Sequence, residues 1–196
     1  QTPIVTSVNE HSSSSRRLGE MWEEDECSFT DVTIGVCRMH QVLLEFSRCF
    51  DATSGSADPG RNALIVPVPG EQHTFGLFMV MEFFRRAGWN CWSGSPVSKR
   101  DFHKLVESQD FDVIGVSVSA DQFVDTATDL ISEIRCGSRN SDIPIVVGGR
   151  AILDKPELAE LIGADAMACA SAAYLAVRQS HWGDKYTWFR WITPHP

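Results

Sequence analysis

An α/β fold is predicted here: a flavodoxin-like, doubly wound, five-stranded parallel sheet preceded by an N-terminal helical cap hairpin. Three observations predict it. Short β-branched runs at Ala63–Val68, Asp112–Ser117 and Ile143–Val147 alternate with helix-length amphipathic stretches. Repeated strand–helix units with apolar strands make a parallel sheet covered on both faces. Turn residues follow the strands, as Pro67-Val68-Pro69-Gly70 and Gly148-Gly149 do. With 196 residues, 43% hydrophobic and 22% charged, the chain has room for one substantial core.

Residues 1–15 are polar and Ser-rich, with a run from Ser12 to Ser15, and read as a flexible linker. Residues 16–50 read as the helical cap. Leu18, Met21 and Trp22 share one side of a first helix. Ser28 or Thr30 caps a second, in which Val32, Val36, Met39, Leu43 and Phe46 recur at helical spacing. Asp51 to Asn62 is a turn-rich connector.

The main domain spans about 60–180. Strand Ala63–Val68 leads into helix Phe75–Arg86, strand Trp89–Trp92 and a helix from Lys99 to Glu107. Strand Asp112–Ser117, helix Gln122–Arg135 and strand Ile143–Val147 follow. A short helix after Pro156, strand Asp165–Ala168 and helix Ala172–Arg178 complete it. Residues 181–196 form an aromatic tail, with Trp182, Tyr186, Trp188, Phe189 and Trp191, expected to pack on the domain or on the hairpin.

A net charge of −9 argues against direct nucleic-acid binding, which needs a basic footprint. No stretch is long and apolar enough to cross a membrane, and the start lacks the apolar core of a signal peptide. The six cysteines, Cys27, Cys37, Cys49, Cys91, Cys136 and Cys169, are scattered without a C-x-x-C pair. They read as reduced thiols of a cytoplasmic protein. The chain does not begin with Met, so it is expected to be a piece of a longer protein.

Three elements meet on the carboxyl rim of the predicted sheet, where open α/β sheets bind ligands. His73 follows strand one, Ser117 and Ser119 end strand three, and Gly148-Gly149 ends strand four. An imidazole at such a rim can bind a metal through one nitrogen while a carboxylate such as Glu71 holds the other. Taken one at a time, these are also a loop histidine, a strand-end cap and a tight turn. The loop after strand one supplies neither G-x-G-x-x-G nor a P-loop. Strand three ends in Ser117-Val118-Ser119 rather than a phosphorylatable aspartate. No Ser/His/Asp or paired-carboxylate arrangement emerges, so the chain is not expected to be an enzyme.

Glu71-Gln72-His73-Thr74-Phe75-Gly76, Ser117-Val118-Ser119 and Gly148-Gly149 together resemble the cobalamin-binding domain family, whose pattern is D-x-H-x-x-G, S-x-L and G-G. The resemblance covers about residues 60–180. It implies His73 as the metal's lower axial ligand and Glu71 as its partner. It also implies that Ser117 bonds a buried nucleotide tail, with Gly76, Gly148 and Gly149 allowing close approach. Two positions depart from the pattern. Glu71 is one methylene longer than the family's Asp, which is expected to re-aim or break the carboxylate–imidazole bond. Ser119 replaces Leu, which is expected to make the tail slot more polar. Both are expected to weaken ordinary cobalamin affinity.

The hairpin resembles the cap of light-responsive cobalamin repressors, in which the Trp of W-x9-E-H covers the upper ligand. Trp22 matches that Trp, but Val32-Thr33 stands where Glu-His would be; His40 is a substitute or a partly buried helix residue. Trp22-Glu23-Glu24-Asp25 and Phe29-Thr30-Asp31-Val32-Thr33-Ile34-Gly35, with the degenerate Glu71/His73/Gly76 loop, resemble the SCHIC domain of AppA/PpaA/AerR antirepressors. That family implies a cytoplasmic light- and redox-responsive regulator that binds haem or cobalamin. It acts on a DNA-binding transcriptional repressor without touching nucleic acid or membrane. AppA-type members add a flavin blue-light domain upstream and a Cys-rich tail downstream. A corrinoid carrier subunit of a methyltransferase and a ligand-free protein-interaction module are the alternatives.

Overall fold

The computed structural model describes residues 14, 17–51, 60–93, 99–140 and 142–169. The Ser-rich linker, most of the connector, the helix expected over 172–178, the aromatic tail and the His40 side chain lie outside them. The chain divides into two compact units, Gln1–Gly55 and Ser56–Pro196.

In the first unit, α1 covers residues 17–23 and α2 runs Phe29–Asp51. Ser28 starts α2 through a reciprocal cap. Its hydroxyl accepts the Asp31 N–H at 3.2 Å, and the Asp31 carboxylate accepts the Ser28 N–H at 3.0 Å. The Ser28 hydroxyl also donates to the Asp31 carboxylate at 2.6 Å, and this bond, followed by that from the Ser28 N–H, holds the Asp31 carboxyl below its ordinary value. The Leu18 side chain fills the space that a β-carbon on Gly35 would need, so α1 crosses α2 at that glycine. Trp22 meets Phe29 edge to face, with ring centroids 6.5 Å apart.

In the second unit a five-stranded sheet has the order β2-β1-β3-β4-β5, with every neighbouring pair parallel. The strands are β1 (Asn62–Pro67), β2 (Asn90–Ser93), β3 (Val113–Ser117), β4 (Ile145–Gly148) and β5 (Ala166–Met167). The helices are α3 (Phe75–Arg86), α4 (Lys99–Ser108), α5 (Val124–Gly137), α6 (Arg150–Asp154) and α7 (Leu158–Leu161). This is the expected flavodoxin-like architecture. The turn of 3-10 helix at Asp121–Phe123 makes α5 start two residues later than the sequence indicates. The sequence reading missed α6, because five residues are too few to display a helical period.

Strand alternation divides the core between the two faces. Leu64, Val66, Ile114, Val116, Ile145 and Val147 meet Phe102 and Val106 of α4, Leu130, Ile131 and Ile134 of α5, and Ile152 of α6. On the other face Ala63, Ile65, Val113 and Ala166 meet Leu77, Met81 and Phe84 of α3, with Trp89 edge-on to Phe84. Each fully buried large aliphatic or aromatic side chain contributes about 1.5–3 kcal/mol relative to exposure.

The register positions the rim. Pro67 pairs with Ser117, and Ser117 with Gly148, so three strands end in one row. The chain leaves β1 toward β2 and leaves β3 toward β4, so the β1/β3 boundary is the topological switch point.

The glycines at the end of β4 are required by the protein's own backbone. A β-carbon on Gly148 would lie 2.5 Å from the Ala168 carbonyl oxygen. One on Gly149, whose φ is +105°, would collide with the Val118 carbonyl. The backbone just beyond β3 and β5 already approaches closely there. Gly76, exposed in the first turn of α3, leaves open space where its β-carbon would be. Gly149→Ala should therefore cost about 3 kcal/mol or more through left-handed strain and collision. Gly76→Ala should stabilise the ligand-free chain by about 0.5–1 kcal/mol. Urea unfolding of the two variants checks the contrast.

Candidate functional site

β1 hands over to the site through a tight turn. The Val68 N–H bonds the Ser117 carbonyl, extending the β1–β3 pairing by one rung, and the Glu71 N–H closes back on the Val68 carbonyl at 3.1 Å. Gly70 supplies the positive φ, +88°, that this turn requires. The turn sends Glu71 inward and His73 outward. The Glu71 side chain is 0% exposed and that of His73 83%.

Four donors converge on the buried carboxylate. Oε1 accepts the His73 N–H at 2.7 Å and His73 Nδ1 at 2.9 Å. Oε2 accepts the Ser119 N–H at 3.1 Å and the Ser119 hydroxyl. Burial alone would raise the Glu71 carboxyl. The Ser119 hydroxyl, followed by the His73 and Ser119 donors, outweighs it and leaves the group below its ordinary value. An ionised carboxylate only accepts, so neutral His73 carries its proton on Nδ1 and keeps the Nε2 lone pair.

Of the two outcomes expected for Glu71, the carboxylate–imidazole bond is re-aimed and not broken: the longer side chain carries the carboxylate across from the β1 rim to the β3 rim. There the Ser119 hydroxyl bonds it. Ser117 is half-buried and, by alternation, lies on the α3 face with Val113 and Gly115. Glu71, His73 and Ser119 are brought into contact, with Ser117 and Gly148 in register behind them. Trp22, 51% exposed, belongs to the first unit.

Chemically, the cluster presents one outward nitrogen donor on an anchored ring. Among the described residues no group of three or more His, Cys, Asp or Glu side chains could hold a metal ion. Gly76, three residues on from His73, has open space where its β-carbon would be. Cys27, Cys37, Cys91 and Cys136 form no disulfide, and burial pushes the Cys91 thiol up to about 12.

A family model described as the B12 binding domain matches residues 61–177, more than half the chain. This chain belongs to the B12-binding domain family. In sequence it is 25% identical over 150 residues to the "Uncharacterized 20.5 kDa protein in bchF-crtJ intergenic region" of Rhodobacter capsulatus, covering 76% of this chain and 78% of that protein. The solved Methanosarcina barkeri monomethylamine corrinoid protein matches with a TM-score of 0.70 at 16% identity, over 87% of this chain and 80% of that one. A cobalamin-binding protein from Desulfitobacterium hafniense DCB-2 matches with a TM-score of 0.59 at 12% identity, over 84% and 77%. At these identities the two structures speak for the fold of the B12-binding domain alone.

The buried carboxylate has a pH signature. Its folded-state value lies below the unfolded one, so its stabilisation is complete above the unfolded value and is lost as pH falls through the depressed folded value. Glu71→Gln should lose about 1–3 kcal/mol at neutral pH through its charge-assisted bonds. It should also flatten the acid limb of the stability curve below about pH 5. Urea midpoints across that range check both effects.

Proposed function

We propose that this chain is a non-catalytic regulatory domain that holds a metal tetrapyrrole, cobalamin first, with His73 as axial ligand. Its ligand state would govern association with a DNA-binding transcriptional repressor. The observation that carries the ligand reading is the buried Glu71 carboxylate on His73 Nδ1, which leaves Nε2 facing outward. A ligating histidine is usually held in this way by an outer carboxylate, which sets its tautomer and raises its donor strength. Membership of the B12-binding domain family supports a corrinoid over haem.

A bound cobalamin would supply light absorption and exchangeable axial ligands. The chain would supply His73 as donor, Glu71 and Ser119 to orient it, Gly76 for clearance, and Ser117 toward the nucleotide tail. Trp22 would cover the upper face. Regulation requires that two arrangements of the protein differ in affinity for the ligand. The regulatory role draws support from the hairpin's resemblance to antirepressors and from the relative whose name places it in a bchF-crtJ intergenic region. A net charge of −9 suits a basic protein partner rather than DNA. Among the described residues no helix is long and apolar enough to cross a membrane, in keeping with a cytoplasmic setting.

A second reading, a corrinoid carrier for methyl transfer, is favoured by the fold shared with the monomethylamine corrinoid protein. It uses the same His73.

Absorbance titration with hydroxocobalamin, adenosylcobalamin and haemin, in darkness and after illumination, tests the proposal. A saturating shift with a cobalamin that His73→Ala abolishes is the expected result. A shift with haemin alone would reassign the ligand. No shift with any of them would leave a docking module. A light-driven change in the association state of the adenosylcobalamin complex favours the sensor over the carrier.

A further inference from the structure

The turn of the helical hairpin is held from both sides. At the end of α1 the Glu26 N–H bonds the Met21 carbonyl at 2.8 Å, and the Asp25 N–H bonds the Trp22 carbonyl at 3.2 Å. Asp25 lies in the left-handed region, with φ +56°, so the two bonds make a Schellman closure. Just beyond it the Ser28–Asp31 cap starts α2. Trp22 and Phe29 flank this fixed turn and meet edge to face. Large aromatic side chains are mostly buried, yet Trp22 is 51% exposed and Phe29 70%. Between them runs Glu23-Glu24-Asp25-Glu26, and residues 17–31 hold six carboxylates against one cation, Arg17. Arg17 is already within ion-pair distance of Glu20, Glu24 and Glu26, and the rim stays strongly negative.

An exposed aromatic pair on a fixed turn, ringed by charge of one sign, has the makeup of an interaction surface. It offers an apolar centre, a polar rim and little conformational freedom to lose on binding. The sign of the rim selects the occupant. A second copy of this chain would bring like charges face to face, and nucleic acid or an anionic bilayer would meet the same repulsion. A cationic protein segment gains from both parts. Its apolar side chain covers Phe29, and its Lys or Arg groups meet the rim or lie on the Trp22 ring.

We propose that the Trp22–Phe29 pair and its acidic rim are a docking surface for a protein segment that bears apolar side chains flanked by Lys or Arg. The proposal rests on the regulatory reading above only in identifying that segment with the transcriptional repressor. Trp22 is also assigned above to the upper face of a cobalamin, but Phe29 takes no part in that assignment. Phe29 therefore separates the two roles.

The test titrates a synthetic peptide, with leucines at helical spacing flanked by arginines, into the ¹⁵N-labelled full chain without cobalamin. Amide shifts should centre on residues 21–31, and Phe29→Ser should weaken binding about tenfold or more while leaving the amide spectrum of the second unit unchanged. The same peptide with serines for leucines should bind far more weakly at equal charge. Glu23→Lys with Glu24→Lys keeps the aromatic pair but reverses part of the rim. It should lose the arginine peptide and gain one with glutamates in their stead, which a misfolded turn could not do. Shifts spread over the acidic surface and indifferent to Phe29→Ser, or equal binding of the serine peptide, would overturn the proposal, because charge alone would then account for binding. Self-association of the free chain in sedimentation, abolished by Phe29→Ser, would also overturn it and make the surface a contact between copies. With cobalamin absent, a failure here leaves the axial-ligand reading untouched, and a failure of cobalamin to bind leaves this surface standing.

Discussion

A buried carboxylate tolerates desolvation only when its oxygens are met by donors, and the site depends on that constraint at Glu71. With no solvent at the side chain, all of its stabilisation comes from His73 and Ser119. Meeting the requirement fixes three things together: the path of the loop after β1, the position of the loop after β3, and the orientation of an imidazole that is otherwise free in solvent. The exposed histidine is ordered by a group that the solvent never reaches.

The sheet makes this meeting possible. Parallel pairing of β1 with β3, in a register that aligns Pro67 with Ser117 and Ser117 with Gly148, brings both loops to one rim at the switch point. Behind the rim the backbone is packed closely enough that Gly148 and Gly149 are required by Ala168 and Val118. Those glycines therefore belong to the rigid support of the site. At Gly76, by contrast, a β-carbon would meet nothing. A donor held on rigid elements, with clearance beside it, is the arrangement that axial ligation needs.

Much of this was legible in the residues. Apolar β-branched strands and amphipathic helices have clear periods, so the five strands and helix Phe75–Arg86 emerged nearly in place, as did the rim position of His73. Two features did not. The five-residue α6 has no room for a period, and its start is set by a positive φ at Gly149 that a glycine pair signals only as a turn. The Ser119–Glu71 bond spans 48 residues and depends on strand register, which local pattern does not specify. A signal was nevertheless present, since a longer acid at 71 and a hydroxyl at 119 are complementary changes. Considered singly, each looked like decay of the motif; in the structure each supports the other.

A sensor and a carrier would both use the same imidazole, so the central claim is the bond from His73 Nε2 to the metal. Electron paramagnetic resonance of the cobalamin complex, reduced to Co(II), tests it most directly when the protein is made with ¹⁵N-labelled histidine and unlabelled cofactor. The account predicts that the nitrogen splitting changes from triplets in unlabelled protein to doublets in labelled protein, and that His73→Ala abolishes the doublets. Triplets that persist in the labelled protein would place the cofactor's own base, or another nitrogen, on the metal and would contradict the account.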